Sequence, residues 1–505
     1  MTILLPQMDS DSAPVSRTTS TTSGVIPELV VVANRLPMEF IAPEAGGDQG
    51  AGTWSPSPGG LVSALAPVLS RRASRWVGWG GRSSVEVGVG PPRTWGQSSL
   101  QEVLLEPELV RGFYENFSNA CLWPLYHDAL VPPAFHRDAW HSYVTANRHF
   151  AEMVATSASP RATVWVHDYQ LQLVPRMLRD LRPDLRIGFF LHIPFPPVEL
   201  FARLPWRAAV LDGLLGADVV GFQSDGAVEN FVTLCGRLLG VSRDGSGALH
   251  DSADGHRVVV GCYPIGIDTA RWEALGADPA TTARAEQVRR DLGNPSVVLL
   301  GVDRLDYTKG IDLRLHAFGE LLDEGRLVPG DAVMVQVATP TRENVPGYQE
   351  IRDVVELEVG RLNGRHANVG SPAVHYLRQS LDESALSALY LAADVALVTP
   401  LRDGMNLVVK EYVACRPDDR GAVVLSEFTG AAGELLTAFQ VNPYDVEALK
   451  DAIMAAVSGP VTDRSERMAA MRDAVARFDV HRWSSRFMAD LESDTPADLV
   501  SSGDF

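Results

Sequence analysis

The chain has 505 residues, 46% of them apolar and 21% charged, and its 44 basic and 63 acidic side chains leave a net charge of −19. That is ample material for a core, in two or three domains at ~150 residues or more each. The acidic balance excludes nucleic acid and anionic membrane surfaces as main partners, while leaving room for a local basic pocket that takes a phosphorylated small molecule.

In chain order, residues 1–26 are rich in Ser, Thr, Asp and Pro and read as a disordered tail, with no basic region of a secretory leader. PELVVVANRLP opens the ordered chain as a buried, parallel-type strand that ends at Asn34-Arg35. Residues 41–58 read as a Gly/Pro/Ser loop, after which Gly59-Gly60 open an amphipathic helix. ATVWVHDYQ, RIGFFLHIPFPP and ADVVGFQS are strands separated by helical patterns, and 241–257 is a hairpin or surface loop. VVVGCYPIGID closes this series and sets a domain boundary near Asp268. A second βα series runs from SVVLLGVDRLDYTKG through DAVMVQVATP, VHYLRQ and DVALVTP to GAVVLSEFTG. One or two amphipathic helices and an acidic tail, 492–505, follow. The organisation is α/β: a domain over 27–268, another over 269–475, and a helix over 476–491.

The four cysteines, Cys121, Cys235, Cys262 and Cys415, form no CxxC, so neither a metal centre nor a disulfide framework is expected, and the thiols read as reduced and cytoplasmic. No apolar run reaches the ~18 residues of a membrane span. Only three of the 44 basic residues are lysines. Lys309 and Lys410 fall in the polar motifs below; Lys450, in VEALKDAI, reads as an exposed helix position.

In doubly wound sheets, ligands bind at the carboxyl ends of the strands, and that is where the polar clusters fall. After VALVTP, a loop carries Asp403 and Gly404 to a helix starting near Asn406, whose free N–H groups suit a diphosphate. Glu411 could reach a ribose diol; the plainer reading is a capping carboxylate and a solvated helix glutamate. Arg304 and Lys309 could neutralise a diphosphate leaving group, or be surface cations bridged to Asp303 and Asp306. His167 and His192 each end a strand of the first half, as structural or cleft histidines, and Asp168 could accept sugar hydroxyls. Trp79, Tyr114 and Trp123 are core or a sugar platform. There is no GxxxxGK[ST], GxGxxG after a strand, HExxH, GxSxG or Asp-x-Asp after a strand, which removes P-loop kinases, ordinary dehydrogenases, zinc proteases, α/β-hydrolases and the usual metal-bridged nucleotide-sugar site.

Taken together, NRLP, PGGLVSAL, WVGWGG, YENFSNACLWPLYH, VWVHDYQLQLVP, LHIPFP, GVDRLDYTKGI, LVTPLRDGMNLVVKEYVAC and LSEFTGAA resemble the trehalose-6-phosphate synthase family from about residue 28 to 490. The resemblance implies a GT-B glycosyltransferase: two Rossmann-like doubly wound domains facing across a cleft, with the helix over 476–491 packing back toward the first. It implies retaining transfer of glucose from a nucleotide sugar to glucose 6-phosphate, without a metal or other cofactor. Arg304 and Lys309 then bind the donor diphosphate. Asp403, Gly404, Met405 and Asn406 touch the donor glucose, Leu407 and Val408 offer amides, and Glu411 holds ribose. Leu381 joins this donor set, Gly59 and Gly60 close over the donor, and His192 lies at its glucose. Arg35, Tyr114, Trp123, Asp168 and Arg342 match the acceptor positions, both arginines at its phosphate. The same resemblance implies a homo-oligomer. The long loop between Pro37 and Gly59 and the N-terminal tail depart from the family pattern. UDP-, ADP- and GDP-glucose stay open as donors. A related synthase or pseudo-glycosyltransferase with another phosphorylated acceptor, or a non-catalytic sugar-phosphate sensor, stays open as an alternative.

Overall fold

The structure is a computed structural model that describes residues 28–41, 53–56, 60–69, 74–82, 92–245, 247–250 and 255–493. The expected tail over 1–26, Gly59, most of the 41–58 loop and the acidic tail beyond Ser493 lie outside these residues.

The first sheet is built on β1 (Leu29–Arg35), β2 (Ser74–Trp79), β3 (Ser98–Glu102), β4 (Thr163–His167), β5 (Arg186–Phe190), β6 (Val219–Phe222) and β7 (Arg257–Cys262), in the order β7-β6-β5-β4-β1-β2-β3. All of these pairings are parallel. Antiparallel ribbons extend both edges: Arg93–Trp95 beside β3, and the short hairpin of Ser242–Arg243 with Leu249–His250 beside β7. The run LVVVANR forms β1 because β-branched residues suit a strand covered on both faces. Val30 and Val32 enter one core, and Leu29, Val31 and Ala33 the other.

The second sheet orders β8 (Val297–Arg304), β9 (Ala332–Thr339), β10 (Val374–Leu377), β11 (Val395–Val398), β12 (Ala422–Ser426) and β13 (Phe439–Val441) as β10-β9-β8-β11-β12-β13, all parallel. Each sheet reverses direction of growth once, between β1 and β4 and between β8 and β11. These switch points open the crevices where ligands bind in such folds.

The helices that matter for the site are α1 (Gly60–Leu69), α2 (Arg137–Ser157), α3 (Ile311–Asp323), α4 (Leu407–Ala414), α5 (Val461–Arg477) and α6 (Val480–Glu492). Before α2, Arg111–Leu122 is wound as a π-helix between single α turns, and the Ser118 hydroxyl donates five residues back to the Phe113 carbonyl at 2.8 Å. π winding is rare and concentrates at functional sites. The chain crosses between the domains twice, near Gly266 and near Phe478. The crossings touch: a Cβ on Gly266 would strike the Phe478 carbonyl, and the Val480 N–H donates to the Ile267 carbonyl at 3.0 Å. After the second crossing, α6 covers the first sheet. Gly188 of β5 leaves room for Phe487 and Leu491, and Phe487 stacks on Trp165 of β4 with centroids 4.8 Å apart.

Two expectations need correction. Lys450 is not exposed: its helix packs on α3, and its ammonium is enclosed by Glu320 at 2.8 Å, Glu324 at 2.5 Å and Glu447 at 2.8 Å. The stretch 41–58 is not loop throughout, because Thr53–Pro56 pairs antiparallel with Met38–Ile41.

Candidate active site

The second-domain half is tied together within itself. Beyond β8, the Asp306 carboxylate accepts from the Thr308 amide and hydroxyl, each at 3.0 Å, and so caps the single turn Tyr307–Lys309. Gly310, at φ +60° and against the Thr399 carbonyl, turns the chain into α3. Beyond β11, the Leu401 amide donates to the Thr308 carbonyl at 2.7 Å, locking the two loops side by side. Lys309 Nζ then meets Asp403 Oδ2 at 2.6 Å, and Asn406 Nδ2 reaches the same oxygen at 3.1 Å. Burial raises the Asp403 carboxyl, but Lys309 and Asn406 outweigh it and hold the group below the ordinary carboxylate range. Of the alternative reading, in which Arg304 and Lys309 are surface cations bridged to Asp303 and Asp306, only one contact is found. Arg304 stands 3.8 Å from Asp306, Lys309 is taken by Asp403, and Asp303 binds Arg314 at 2.7 Å.

The cap of α4 is Asn406, at φ +83°, whose Oδ1 accepts from the Val409 amide at 3.1 Å. Leu407 and Val408 open the helix, where backbone N–H groups lack intrahelical acceptors. Met405 is buried and packs in one apolar cluster with Leu381, Leu407 and Val408. Glu411 is not a solvated helix glutamate: its carboxylate accepts from the Tyr390 hydroxyl at 3.0 Å, and burial pushes its pKa up to about 7. A Cβ at Gly404 would collide with the His192 carbonyl, so at this point the two domains meet backbone to backbone.

The first-domain half is aromatic, with Asp168 as its buried acid and Glu39 3.9 Å from Arg35. The Arg35 guanidinium, at the end of β1, lies 4.2 Å over Trp79 and 5.8 Å over Tyr114. The π-wound segment carries Tyr114, and the turn after it carries Trp123. From the other domain, Arg342 lies 3.8 Å over Trp123, donates to the Tyr169 hydroxyl at 2.9 Å and to the Tyr348 hydroxyl, and stands 3.7 Å from Asp306. Arg304 lies 5.0 Å over the same indole. Burial raises the Tyr114 phenol, yet Arg342, Arg35 and Arg304 together bring it below its ordinary value, which reports a strongly positive pocket.

Asp168 takes φ +73°, a strained setting for a non-glycine residue, and its Oδ1 accepts from the His192 amide at 3.2 Å. Burial pushes its carboxyl up to about 6 against the opposing amides and Arg342. His167 Nδ1 and His192 Nε2 share one hydrogen bond at 3.0 Å. Burial drives His192 down to about 3 and His167 well below its usual value, so the pair is neutral at ordinary pH.

The structure therefore brings Arg35, Tyr114, Trp123, Arg304 and Arg342 into one cluster and Lys309, Asp403 and Asn406 into another, joined where Gly404 meets His192. Gly60 opens α1. Glu411 stands apart, bonded to Tyr390. Sequence reasoning missed Tyr169, Tyr348, Arg314 and His127. The His127 ring packs at a tilt of 31° against Trp123 with centroids 4.1 Å apart, and its Nδ1 bonds the Trp123 carbonyl at 2.7 Å. Tyr169, beside Asp168 in HDYQ, and His127, at the end of YENFSNACLWPLYH, carried a local signal.

Two parallel α/β domains with their switch points facing across a cleft, a cationic loop and a helix amino end on one side and an arginine–aromatic pocket on the other, define a GT-B glycosyltransferase. The chain belongs to glycosyltransferase family 20, the family of trehalose-6-phosphate synthases, whose model matches residues 27–493. It is 52% identical over 479 residues to the trehalose-6-phosphate synthase of Mycolicibacterium gilvum, covering 93% of this chain and 94% of that one. It superimposes on the trehalose-6-phosphate synthase from E. coli bound with UDP-2-fluoro glucose at TM-score 0.83 and 34% identity, covering 93% and 99% of the two chains. An α,α-trehalose-phosphate synthase (UDP-forming) from Burkholderia xenovorans in complex with glucose-6-phosphate also gives 0.83, at 31% identity and 92% and 100% coverage.

Proposed function

We propose that the protein transfers glucose, with retention, from a nucleotide-activated glucose to glucose 6-phosphate, giving α,α-trehalose 6-phosphate and a nucleoside diphosphate. The observation that carries this is the division of cationic groups. Arg35 and Arg342 flank Tyr114 and Trp123, and their neighbouring carboxylates, Glu39 at 3.9 Å and Asp306 at 3.7 Å, stand outside hydrogen-bond distance, so the pocket stays positive, which suits a single phosphate. Lys309 and the amino end of α4 form the second group, with Arg304 between the two over Trp123, which suits a diphosphate. Asp403, held as a carboxylate by Lys309 and Asn406, is set to accept donor glucose hydroxyls, and Glu411 to accept ribose hydroxyls. Gly60, at the start of α1, closes over the donor, and Asp168 and His192 border the sugars. The E. coli and B. xenovorans relatives, with UDP-2-fluoro glucose and glucose-6-phosphate bound, support the two-substrate reading.

Retention follows if the acceptor attacks from the face the diphosphate leaves. The bond from C1 to the phosphate oxygen breaks, the acceptor oxygen bonds C1, and the acceptor's proton passes to the departing phosphate oxygen. Arg304, Lys309 and the α4 amides stabilise the departing charge. On this reading Asp403 is committed to donor glucose hydroxyls and Asp168 to the acceptor, so neither serves as the nucleophile. Assay of nucleoside diphosphate release with UDP-, ADP- and GDP-glucose, each with glucose 6-phosphate, tests this; UDP-glucose is the first donor to try. Release with at least one donor, an α,α product by NMR, activity in EDTA and no glucosyl adduct by intact mass are expected. No release with any donor would overturn the reading.

A further inference from the structure

We infer that Arg314, which reaches neither substrate pocket, is a positioning residue that sets the donor loops; the inference rests on Lys309 and Asp403 holding the donor. Arg314 lies one turn into α3 and has no solvent exposure. A buried guanidinium must be matched by acceptors, and this one is. Its Nε donates to Thr399 Oγ1 at 3.0 Å, its Nη1 to Asp303 Oδ2 at 2.7 Å and Gln336 Oε1 at 3.1 Å, and its Nη2 to the Lys309 carbonyl at 3.2 Å. Those acceptors belong to the end of β8, to β9, to the exit of β11 and to the donor loop itself.

The surroundings are shaped for that one group. Gly301 of β8 admits the guanidinium, since a Cβ there would strike Arg314 Nη1 and Gln336 Oε1. The Gln336 amide donates to the Val337 carbonyl at 3.0 Å, which turns its oxygen toward Arg314. Lys309 and Asp403 hang from the loops that follow β8 and β11. One rigid, planar fork therefore fixes the carbonyl of the first loop and the root of the second. An ammonium could not span these acceptors in one plane. For stability alone, apolar residues of similar volume serve as well as a buried ion pair. What the pair adds here is the relative setting of Lys309 and Asp403, and a displacement of about 1 Å at such groups costs up to ~100-fold in rate.

The test compares the full-length protein with Arg314→Lys, Asp303→Asn and, as reference, Lys309→Ala, reading kcat, both KM values and Tm. Arg314→Lys is expected to raise donor KM and cut donor kcat/KM by about ten- to a hundredfold, with acceptor KM held within about twofold. Asp303→Asn should move the same constants less. A loss of Tm and of active fraction with both KM values unchanged would assign Arg314 a purely structural role and overturn the inference. If Arg314→Lys does not fold, Asp303→Asn decides by the same split. Impaired Lys309→Ala beside variants with wild-type constants overturns this inference alone. Wild-type donor constants in Lys309→Ala overturn the donor-site reading, and this inference with it.

Discussion

The two walls of the cleft are built by different strategies. The second-domain wall is finished before any partner arrives: Lys309 and Asp403 are paired at 2.6 Å, and their loops are bonded to each other at 2.7 Å. The first-domain wall is unfinished on its own. Its aromatic residues wait for an arginine from the other domain, since Arg342 supplies the guanidinium over Trp123 and the donor to Tyr169. A wall assembled within one domain is rigid but cannot sense its partner. A wall assembled across the cleft exists only when the domains are together, so on the proposed reading acceptor binding is linked to closure.

The sharpest way to break this comparison is to empty the finished wall. Lys309→Ala leaves Asp403 buried without its cation and should lower donor kcat/KM by about 100- to 1,000-fold, with acceptor KM little changed, in initial-rate kinetics on both substrates. A matching rise in acceptor KM would show that the walls are not independent. Arg342→Ala strikes the borrowed group. It removes charge-assisted contacts worth ~1.5–3 kcal/mol each, so acceptor KM should rise about ten- to a hundredfold while donor affinity, by calorimetry, stays near wild type.

Smaller effects are expected at the rim, where Arg402 faces Asp128 at 3.5 Å and Asn344 donates to Glu115 at 3.0 Å across the cleft. These pairs are partly exposed, so Arg402→Ala should cost ~1 kcal/mol at most and shift acceptor KM by about fivefold or less. Small-angle scattering of this variant should show a more open average shape without substrates. An unchanged profile would remove the rim from the account of closure.

The smallest effect is a pH dependence of stability. Burial raises the Glu411 carboxyl to about 7, so the folded protein holds that proton more tightly than the unfolded chain does. Its contribution is therefore present at low pH and is lost as pH rises from the ordinary glutamate value through about 7. Glu411→Gln should flatten this part of the curve, by on the order of 2 °C in Tm between pH 5 and 8. Equal slopes for the two proteins would mean that the glutamate is hydrated in solution.

The same contrast explains what could be read in advance. The second domain announces its strands as β-branched runs, and its polar residues sit on the short loops after them, so Arg304, Lys309 and Asp403 stood out by position. The region from β2 through α2 was poorly legible. Its π-wound helix has no periodicity that a 3.6-residue rule detects, and Tyr114 and Trp123 look like core aromatics until Arg35 and Arg342 are seen above them. Arg314 reads as an ordinary helix arginine, because its burial is decided by Gly301, Gln336 and Thr399 on three different strands or their exits. Lys450 was misread for the same reason: its three glutamates come from two helices.

The two touching crossings make the second domain an insertion within the first. The residues that complete the first sheet's cover, Trp483, Phe487 and Leu491 of α6, are synthesised after the entire second domain. At ~5–20 residues per second, the ribosome keeps the earliest domain waiting, with Trp165 and Phe190 uncovered, while a later one has time to fold. Nascent chains of this protein therefore finish in the reverse of the order in which they begin, and the exposed face of β4 and β5 is the surface a chaperone would meet in the interval.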